Sequence, residues 1–183
     1  MIVYIVLGNG FEEIEAIAPG DILRRGGVIV KYLGVDGMSQ RGGHNITVEA
    51  DAGIETLTDI TAEDLVVIPG GLGGVESIEG SKKAMELLAF ARDNGARFAA
   101  ICAGPRVLAK LGILKGKNIT CYPGNEGDME GAAADLDKNV VQDGDLITGR
   151  APGAAYDFGL KLLESVKGAA AANEVRAQMY YDV

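Results

Sequence analysis

Apolar runs and amphipathic segments alternate along the chain. Residues 2–7 and 65–68 are nearly continuous apolar runs, and helical patterns occur at residues 12–25 and 81–94. Continuous apolar runs are typical of parallel strands that helices cover on both faces, and strands that alternate with helices indicate a doubly wound sheet. The pattern therefore predicts an α/β fold whose central strands are residues 2–7 and 65–68. The other elements of this alternation are two strands, at 28–33 and 97–101, and a helix at 105–111.

Two glycine-interrupted segments depart from this alternation. Residues 34–59 form short alternating stretches between glycines, which predicts antiparallel strands or hairpins inserted at an edge of the sheet. Residues 139–142 and 146–149 predict a second such pair, because the Asp143-Gly144 step between them is a strong hairpin signal.

The C-terminal part is predicted to be helical. One helix opens at Pro152-Gly153 and runs to about residue 166, and an alanine-rich helix follows at about residues 169–179. Since the sequence contains neither an internal repeat nor a linker, we predict that residues 1–183 form one domain.

The composition is that of a globular protein, with 48% hydrophobic and 23% charged residues among 183. A net charge of −9 disfavours binding to nucleic acid or to anionic membranes, because the field of the protein repels phosphates at long range. No apolar stretch reaches the roughly 20 residues that span a bilayer. Residues 1–7 lack the basic start of a signal peptide, so we expect a cytoplasmic protein.

The cysteines and the histidine limit the possible chemistry. Cys102 and Cys121 are the two cysteines, and in a reducing compartment both are expected to be free thiols. His44 is the only histidine, and neither CxxC nor HxxxH spacing occurs. We therefore predict no metal site.

Cys102 is the strongest candidate for a reactive residue. It lies where a predicted strand runs directly into a predicted helix, and Ala100 and Gly104 give it the small flanks that a sharp nucleophile elbow requires. Pro105 suits the first turn of the helix. Free N–H groups at a helix start favour a thiolate, so we expect an activated nucleophile. The alternative is a small buried cysteine at a strand end.

A glycine-rich loop, Pro-Gly-Gly-Leu-Gly-Gly at residues 69–74, follows the predicted strand at 65–68. It lacks both the GxGxxG fingerprint and the Lys-Ser/Thr ending of a P-loop, which argues against a phosphate site. Two interpretations remain open. The loop either offers backbone N–H donors at the carboxyl edge of the sheet, where ligands of such folds bind, or is a plain flexible turn.

Three glutamates lie at the start of the first predicted helix: Glu12, Glu13 and Glu15. Acidic residues there commonly stabilise the helix dipole and do no more. A carboxyl beside the thiol would instead have a raised pKa and could donate a proton. The residues alone do not select Glu15 over its neighbours.

Four motifs resemble, in order and spacing, those of the ThiJ/PfpI superfamily: GFEEIE at 10–15, PGG at 69–71, AICAGP at 100–105 and GRAPG at 149–153. The likeness is greatest to the ThiJ branch, which includes the parkinsonism-associated protein deglycase, because Ala103 follows the cysteine where the intracellular-protease branch carries histidine. The resemblance implies a mostly parallel flavodoxin-like sheet with helices on both faces and a nucleophile elbow, a fold like that of class I glutamine amidotransferases.

The resemblance also implies roles for individual residues. Cys102 would be the nucleophile and the oxidation site, and Glu15 the carboxylic acid hydrogen-bonded to its sulfur. The backbone N–H groups of Gly71 and Ala103 would form an oxyanion hole.

Further implications concern the partner subunit and one departure from the family pattern. The family is dimeric with the first helix near the interface, so Arg24 or Arg25 is expected near the partner's active site. Where the human-like branch has a histidine beside the cysteine, this chain has Tyr122, a candidate hydrogen-bond donor. His44 is expected in a surface loop, so a Cys-His-acid triad is not expected and a protease is disfavoured.

The activity that the resemblance implies is that of a glyoxalase or deglycase of the hydro-lyase or hydrolase type, with no cofactor. Cys102 would add to a reactive carbonyl such as methylglyoxal, and Glu15 would move the proton. The alternative is a redox-sensing stress-response protein or chaperone in which Cys102 is oxidised to sulfinate.

Overall fold

The structure is a computed structural model that describes residues 1–181. Its strands are β1 (Val3–Leu7), β2 (Val30–Gly34), β3 (Ser39–Arg41), β4 (Thr47–Glu49), β5 (Ala52–Gly53), β6 (Leu65–Ile68), β7 (Arg97–Ile101), β8 (Asn118–Ile119), β9 (Ala133–Ala134), β10 (Val140–Asp143) and β11 (Leu146–Gly149). Its helices are α1 (Glu13–Arg25), α2 (Leu72–Gly80), α3 (Lys82–Asp93), α4 (Pro105–Lys110), α5 (Ala155–Lys167) and α6 (Ala169–Gln178). Three short 3-10 helices are Ile54–Asp59, Glu126–Asp128 and Pro152–Ala154.

Seven strands form the main sheet in the order β10-β11-β7-β6-β1-β2-β5. All neighbours are parallel except β10, which pairs antiparallel with β11. Every residue of β1 and β6 is buried. Because successive side chains of a strand point to opposite faces, both faces of the sheet are covered there. The predicted mostly parallel α/β fold and its two central strands are confirmed.

The helices fall into two contacting groups. In the first group, α5 contacts both α1 and α6. In the second group, α2 contacts both α3 and α4. Gly159 in α5 allows α1 to come close, since a Cβ there would lie 2.8 Å from the Cδ1 of Ile22 and 2.9 Å from the Cα of Pro19. Among the helices of residues 1–181, none is long and apolar enough to cross a membrane.

The edge predictions are correct in part. The β10–β11 hairpin is confirmed at one edge of the sheet, with Gly144 at φ +63° in its turn. In the 34–59 segment, β3 and β4 are antiparallel as predicted but form a separate two-stranded sheet. The expectation of an antiparallel edge strand is wrong for β5, which pairs parallel with β2.

Other deviations follow from local sequence. The helix predicted to open at Pro152-Gly153 begins as a 3-10 turn and becomes α5 at Ala155. The helix predicted at residues 81–94 is α3, and a separate helix that was not predicted, α2, lies between it and the glycine-rich loop, because glycines weaken the helical pattern of α2. The short parallel pair β8–β9 gave no sequence signal, because two-residue strands carry no readable alternation.

A half-buried ion pair joins α2 to α4, the helices that follow the glycine-rich loop and Cys102. Both guanidinium nitrogens of Arg106 bind the Glu79 carboxylate, at 2.9 Å for Nε and 2.8 Å for Nη2, and Lys110 Nζ lies 2.8 Å from the same carboxylate. Burial alone would raise the pKa of Glu79, but the hydrogen bonds from Arg106 and Lys110 outweigh it and lower the pKa. The pair therefore fixes the relative position of the two segments that carry the site.

We expect Glu79→Gln to lower the free energy of unfolding at pH 7 by about 2 kcal/mol, because it removes the charge that Arg106 and Lys110 share. Since the folded pKa of Glu79 is lowered, its contribution is present above the unfolded value of about 4.3 and is lost as pH falls further. Urea unfolding at several pH values checks this. Glu86→Gln, at the exposed Lys82–Glu86 pair, is the control and should change stability by less than about 0.5 kcal/mol. Equal losses in both variants at pH 7 would contradict the argument.

Candidate functional site

Cys102 forms a strained turn between β7 and α4. Its φ of +64° is in the left-handed region, which non-glycine residues adopt at a cost of about 1–3 kcal/mol. Two backbone hydrogen bonds hold it there: Cys102 N donates to Gly149 O at 2.9 Å, and Tyr122 N donates to Cys102 O at 3.0 Å. The predicted nucleophile elbow is thus present, and its strained residue is tied to the sheet on one side and to residue 122 on the other.

Glycines make room for this turn. A Cβ on Gly104 would lie 2.9 Å from Ile101 O and 3.0 Å from Pro69 O, closer than side chains tolerate. A Cβ on Gly70 would lie 2.5 Å from Glu15 Oε2 and 2.7 Å from the Cβ of Cys102. Gly70 therefore occupies a position where any side chain would push the acid and the thiol apart.

Glu15 is the carboxyl beside the thiol. It lies in the first turn of α1, is fully buried, and its Oε2 accepts a hydrogen bond from Gly70 N at 2.8 Å. Burial raises the pKa of Glu15 to about 7, although hydrogen bonds with Cys102 and Gly70 act to lower it. Its Oε1 has no hydrogen-bond partner within residues 1–181. A buried carboxylate oxygen without a donor is costly, which agrees with a carboxyl that keeps its proton up to about pH 7.

Cys102 is buried, with 8% of the residue exposed. Burial and the adjacent Glu15 carboxyl raise the pKa of this thiol, while the backbone N–H groups of Ala103 and Gly71 lower it. The expectation that the helix start alone acidifies the thiol is therefore wrong, because burial against a carboxyl has the larger effect. Since both groups have raised pKa values, the pair loses its first proton near pH 7. The carboxyl and the thiol share the remaining proton, which is lost only well above pH 7.

The two predicted oxyanion-hole donors are brought together at the sulfur. The N–H groups of Gly71 and Ala103 both interact with Cys102. Gly71 has a φ of +84°, and a Cβ on it would lie 2.6 Å from Glu12 N. Gly70 O also accepts from Glu12 N at 3.0 Å. Of the two interpretations of the glycine-rich loop, the fixed N–H donor is thus supported, and the flexible turn is not.

A cavity of about 320 Å³ opens onto the thiol. Its lining residues are Glu12, Gly71, Leu72, Cys102, Ala103, Tyr122, Asn125 and Pro152. Sequence reasoning did not identify Leu72, Asn125 or Pro152 as lining residues, although Leu72 adjoins Gly71 and Pro152 belongs to a quoted motif. A larger cavity, of about 480 Å³, lies between β10, α5 and α6, but cysteine is not among its lining residues. The chemistry therefore points to the smaller cavity.

The two arginines lie at the far end of α1. Arg24 forms an ion pair with Asp51 at 3.0 Å, and Arg25 pairs with Asp21 at 2.6 Å. Neither lines the cavity of its own chain. Their expected position near a partner's site stays a prediction.

His44 lies in an exposed loop, as predicted, but it contacts the start of α1. Its Nδ1 is 2.9 Å from Glu13 Oε2 and 3.5 Å from Glu12 Oε2, and Glu13 Oε1 also accepts from His44 N at 2.7 Å. Ligand atoms of these three residues lie within 4.8 Å of one another, a composition that could hold a cation. The hydrogen bonds to Glu13 and the positive end of the α1 dipole account for the cluster without an ion, and we assign no metal to it.

Comparisons with known proteins agree along almost the whole chain. The family model described as DJ-1/PfpI matches residues 1–165. The chain is 38% identical to Protein DJ-1alpha of Drosophila melanogaster, an alignment that covers 97% of this chain and 82% of the relative. It is 36% identical to a Caenorhabditis elegans protein named glutathione-independent glyoxalase DJR-1.2, covering 86% and 83%. The crystal structure of Drosophila melanogaster DJ-1beta matches with a TM-score of 0.92 and 35% identity, covering 100% of this chain and 98% of that one.

We expect the rate of Cys102 alkylation by iodoacetamide to rise with pH at a midpoint above that of an ordinary thiol, because burial and the adjacent Glu15 raise the pKa of Cys102. Glu15→Gln removes the carboxylate that opposes a negative charge on the sulfur, so the midpoint should move downward. Peptide mass spectrometry of samples alkylated at graded pH measures this. Cys121 is fully buried and does not line the cavity, so it serves as the slow internal control. An upward shift of the midpoint in Glu15→Gln would contradict a thiol pKa that Glu15 raises.

Proposed function

Because the chain belongs to the DJ-1/PfpI family, we propose that it is a cysteine-dependent, cofactor-independent glyoxalase or deglycase that acts on methylglyoxal and related reactive carbonyls. The observation that carries this proposal is the buried Glu15 carboxyl against the Cys102 thiol, with two backbone N–H groups at the sulfur. A relative that bears the name glyoxalase supports the substrate class.

The first step is addition of the Cys102 thiolate to the aldehyde carbon of methylglyoxal. The carbon–sulfur bond forms, the carbonyl electron pair moves to oxygen, and the Glu15 carboxyl gives its proton to that oxygen, which yields a hemithioacetal. The N–H groups of Gly71 and Ala103 stabilise the negative charge while it develops on oxygen.

The second step moves a hydrogen between neighbouring carbons. The Glu15 carboxylate takes the proton from the former aldehyde carbon, the electron pair forms a carbon–carbon double bond, and Glu15 gives that proton to the ketone oxygen, which becomes the hydroxyl of an enediol. Glu15 then takes the proton from the hydroxyl on the former aldehyde carbon and delivers it to the former ketone carbon, which leaves a thioester. The aldehyde carbon is oxidised and the ketone carbon is reduced, so no external oxidant or reductant takes part. Water then hydrolyses the thioester and releases lactate and the thiol.

We expect wild-type protein to form many equivalents of lactate from methylglyoxal, and Cys102→Ala to lose at least about a thousandfold in rate. Glu15→Gln should lose about a hundredfold or more, because it cannot exchange a carboxyl proton. A lactate-specific assay distinguishes turnover from simple consumption of the aldehyde. Cys121→Ala is the matched control for loss of a buried thiol away from the cavity. Full turnover in Cys102→Ala would rule out the nucleophile.

A second candidate function uses the same thiol as a peroxide sensor. One peroxide converts the thiolate to sulfenate and a second converts it to sulfinate, each releasing water. The N–H groups of Gly71 and Ala103 favour this alternative, since they can bind the new oxygens. Peroxide consumed at two equivalents per Cys102 in a protein that forms no lactate would favour the sensor over the enzyme.

The proposed enzyme is a homodimer, and an exposed apolar surface around α1 supports this. Ile14 and Ile17 of α1 are 50% and 39% exposed, and Ile46 and Tyr156 beside them are 57% and 43% exposed. Large apolar side chains grouped in this way are typical of interfaces. A second copy packed on α1 would also bring a partner near Arg24 and Arg25, which lie on the same helix.

We expect Ile17→Asp to convert the dimer to a monomer, because two carboxylates would be buried at an apolar contact. Sedimentation velocity at micromolar concentration measures the change in mass. Phe90→Asp, at an apolar residue of α3 that is 43% exposed, is the matched control and should sediment as wild type. A wild-type protein that is monomeric throughout this range would refute the proposed dimer.

A further inference from the structure

The cavity over Cys102 is larger than methylglyoxal requires. Its volume of about 320 Å³ lies at the lower end of the range, about 300–1,000 Å³, of pockets that enclose drug-sized ligands. A three-carbon dicarbonyl bound to the sulfur leaves most of this space to water. The space therefore has room for a substituent on the ketone carbon.

Part of the cavity lining is apolar and exposed. Leu72 is 60% exposed and Tyr122 is 47% exposed, and both line the cavity together with Pro152. The backbone of Tyr122 is fixed to the elbow, because its N donates to Cys102 O at 3.0 Å. An aromatic ring held beside the nucleophile offers a flat surface on which an apolar or aromatic group can pack.

The charges of the cavity select against anions. Glu12 is the one carboxylate among the lining residues, which include neither lysine nor arginine. A carboxylate in a cavity whose lining has no cation repels a substrate that carries its own carboxylate. A 2-oxo acid is therefore a poor fit, whereas an uncharged carbonyl compound is not repelled.

We propose that the preferred substrates are uncharged 2-oxoaldehydes with a bulky apolar or aromatic substituent, which packs between Tyr122 and Leu72 while the aldehyde carbon meets Cys102. This inference rests on the proposed glyoxalase function and adds the substrate class. Phenylglyoxal represents the class, and methylglyoxal is the small reference substrate.

The test compares kcat/KM for phenylglyoxal with kcat/KM for methylglyoxal in each variant, so that the intrinsic reactivities of the two aldehydes cancel between proteins. We expect Tyr122→Ala to lower this ratio by about tenfold or more, since a lost apolar contact of this size costs that much discrimination. Tyr122→Phe keeps the ring and should keep the ratio. Phe90→Ala, at the distant exposed aromatic on α3, should also keep it. An unchanged ratio in Tyr122→Ala would overturn the proposal.

A binding measurement separates this inference from the proposed function. Acetophenone and acetone carry the same phenyl and methyl groups but undergo no rearrangement, so each is tested for protection of Cys102 against iodoacetamide. We expect acetophenone to protect at lower concentration than acetone in wild type, and Tyr122→Ala to abolish the difference. If wild type turns over neither aldehyde but the difference persists, the glyoxalase function fails and the apolar preference stands. Equal protection by both ketones in wild type would refute the preference.

Discussion

The contact between the Glu15 carboxyl and the Cys102 thiol is the constraint on which the site depends. Two acidic groups in one buried position cannot both ionise, because the second charge would lie against the first in a medium of low polarisability. Burial raises the pKa of Glu15 to about 7, so the pair changes from two protons to one near neutral pH. In the proposed mechanism the remaining proton, held between carboxyl and thiol, lets the sulfur act as a nucleophile while an acid remains beside it.

The sheet places this pair, since the two loops that surround it leave neighbouring parallel strands. β6 ends at Ile68 and leads into Gly70 and Gly71, and β7 ends at Ile101 and leads into Cys102. The carboxyl ends of parallel strands meet at one edge of the sheet, where ligands of such folds bind. The Glu79–Arg106 ion pair then joins the two helices that follow these loops. It thereby keeps the backbone N–H donors of Gly71 and Ala103 at the same sulfur.

Features that are encoded locally were predictable, and features that depend on distant burial were not. The strands β1 and β6 and the elbow at Cys102 have signals within a few residues, and all three are present. The thiol pKa was misjudged because it depends on Glu15, 87 positions away in sequence, and on burial by the whole fold. Asn125 in the cavity wall had no local signal at all, since its place follows from the turn after Tyr122.

Tyr122 shows how one substitution changes the chemistry available without changing the elbow. The resemblance implies a histidine at this position in the human-like branch, and an imidazole there could take up the thiol proton. Tyrosine keeps the backbone hydrogen bond to Cys102 O, which is independent of the side chain, and offers an apolar ring in place of a base. In the proposed mechanism proton transfer is thereby left to Glu15, and the space beside the sulfur is left to packing. At the position where the resemblance implies a histidine, this chain therefore gives the cavity an aromatic wall.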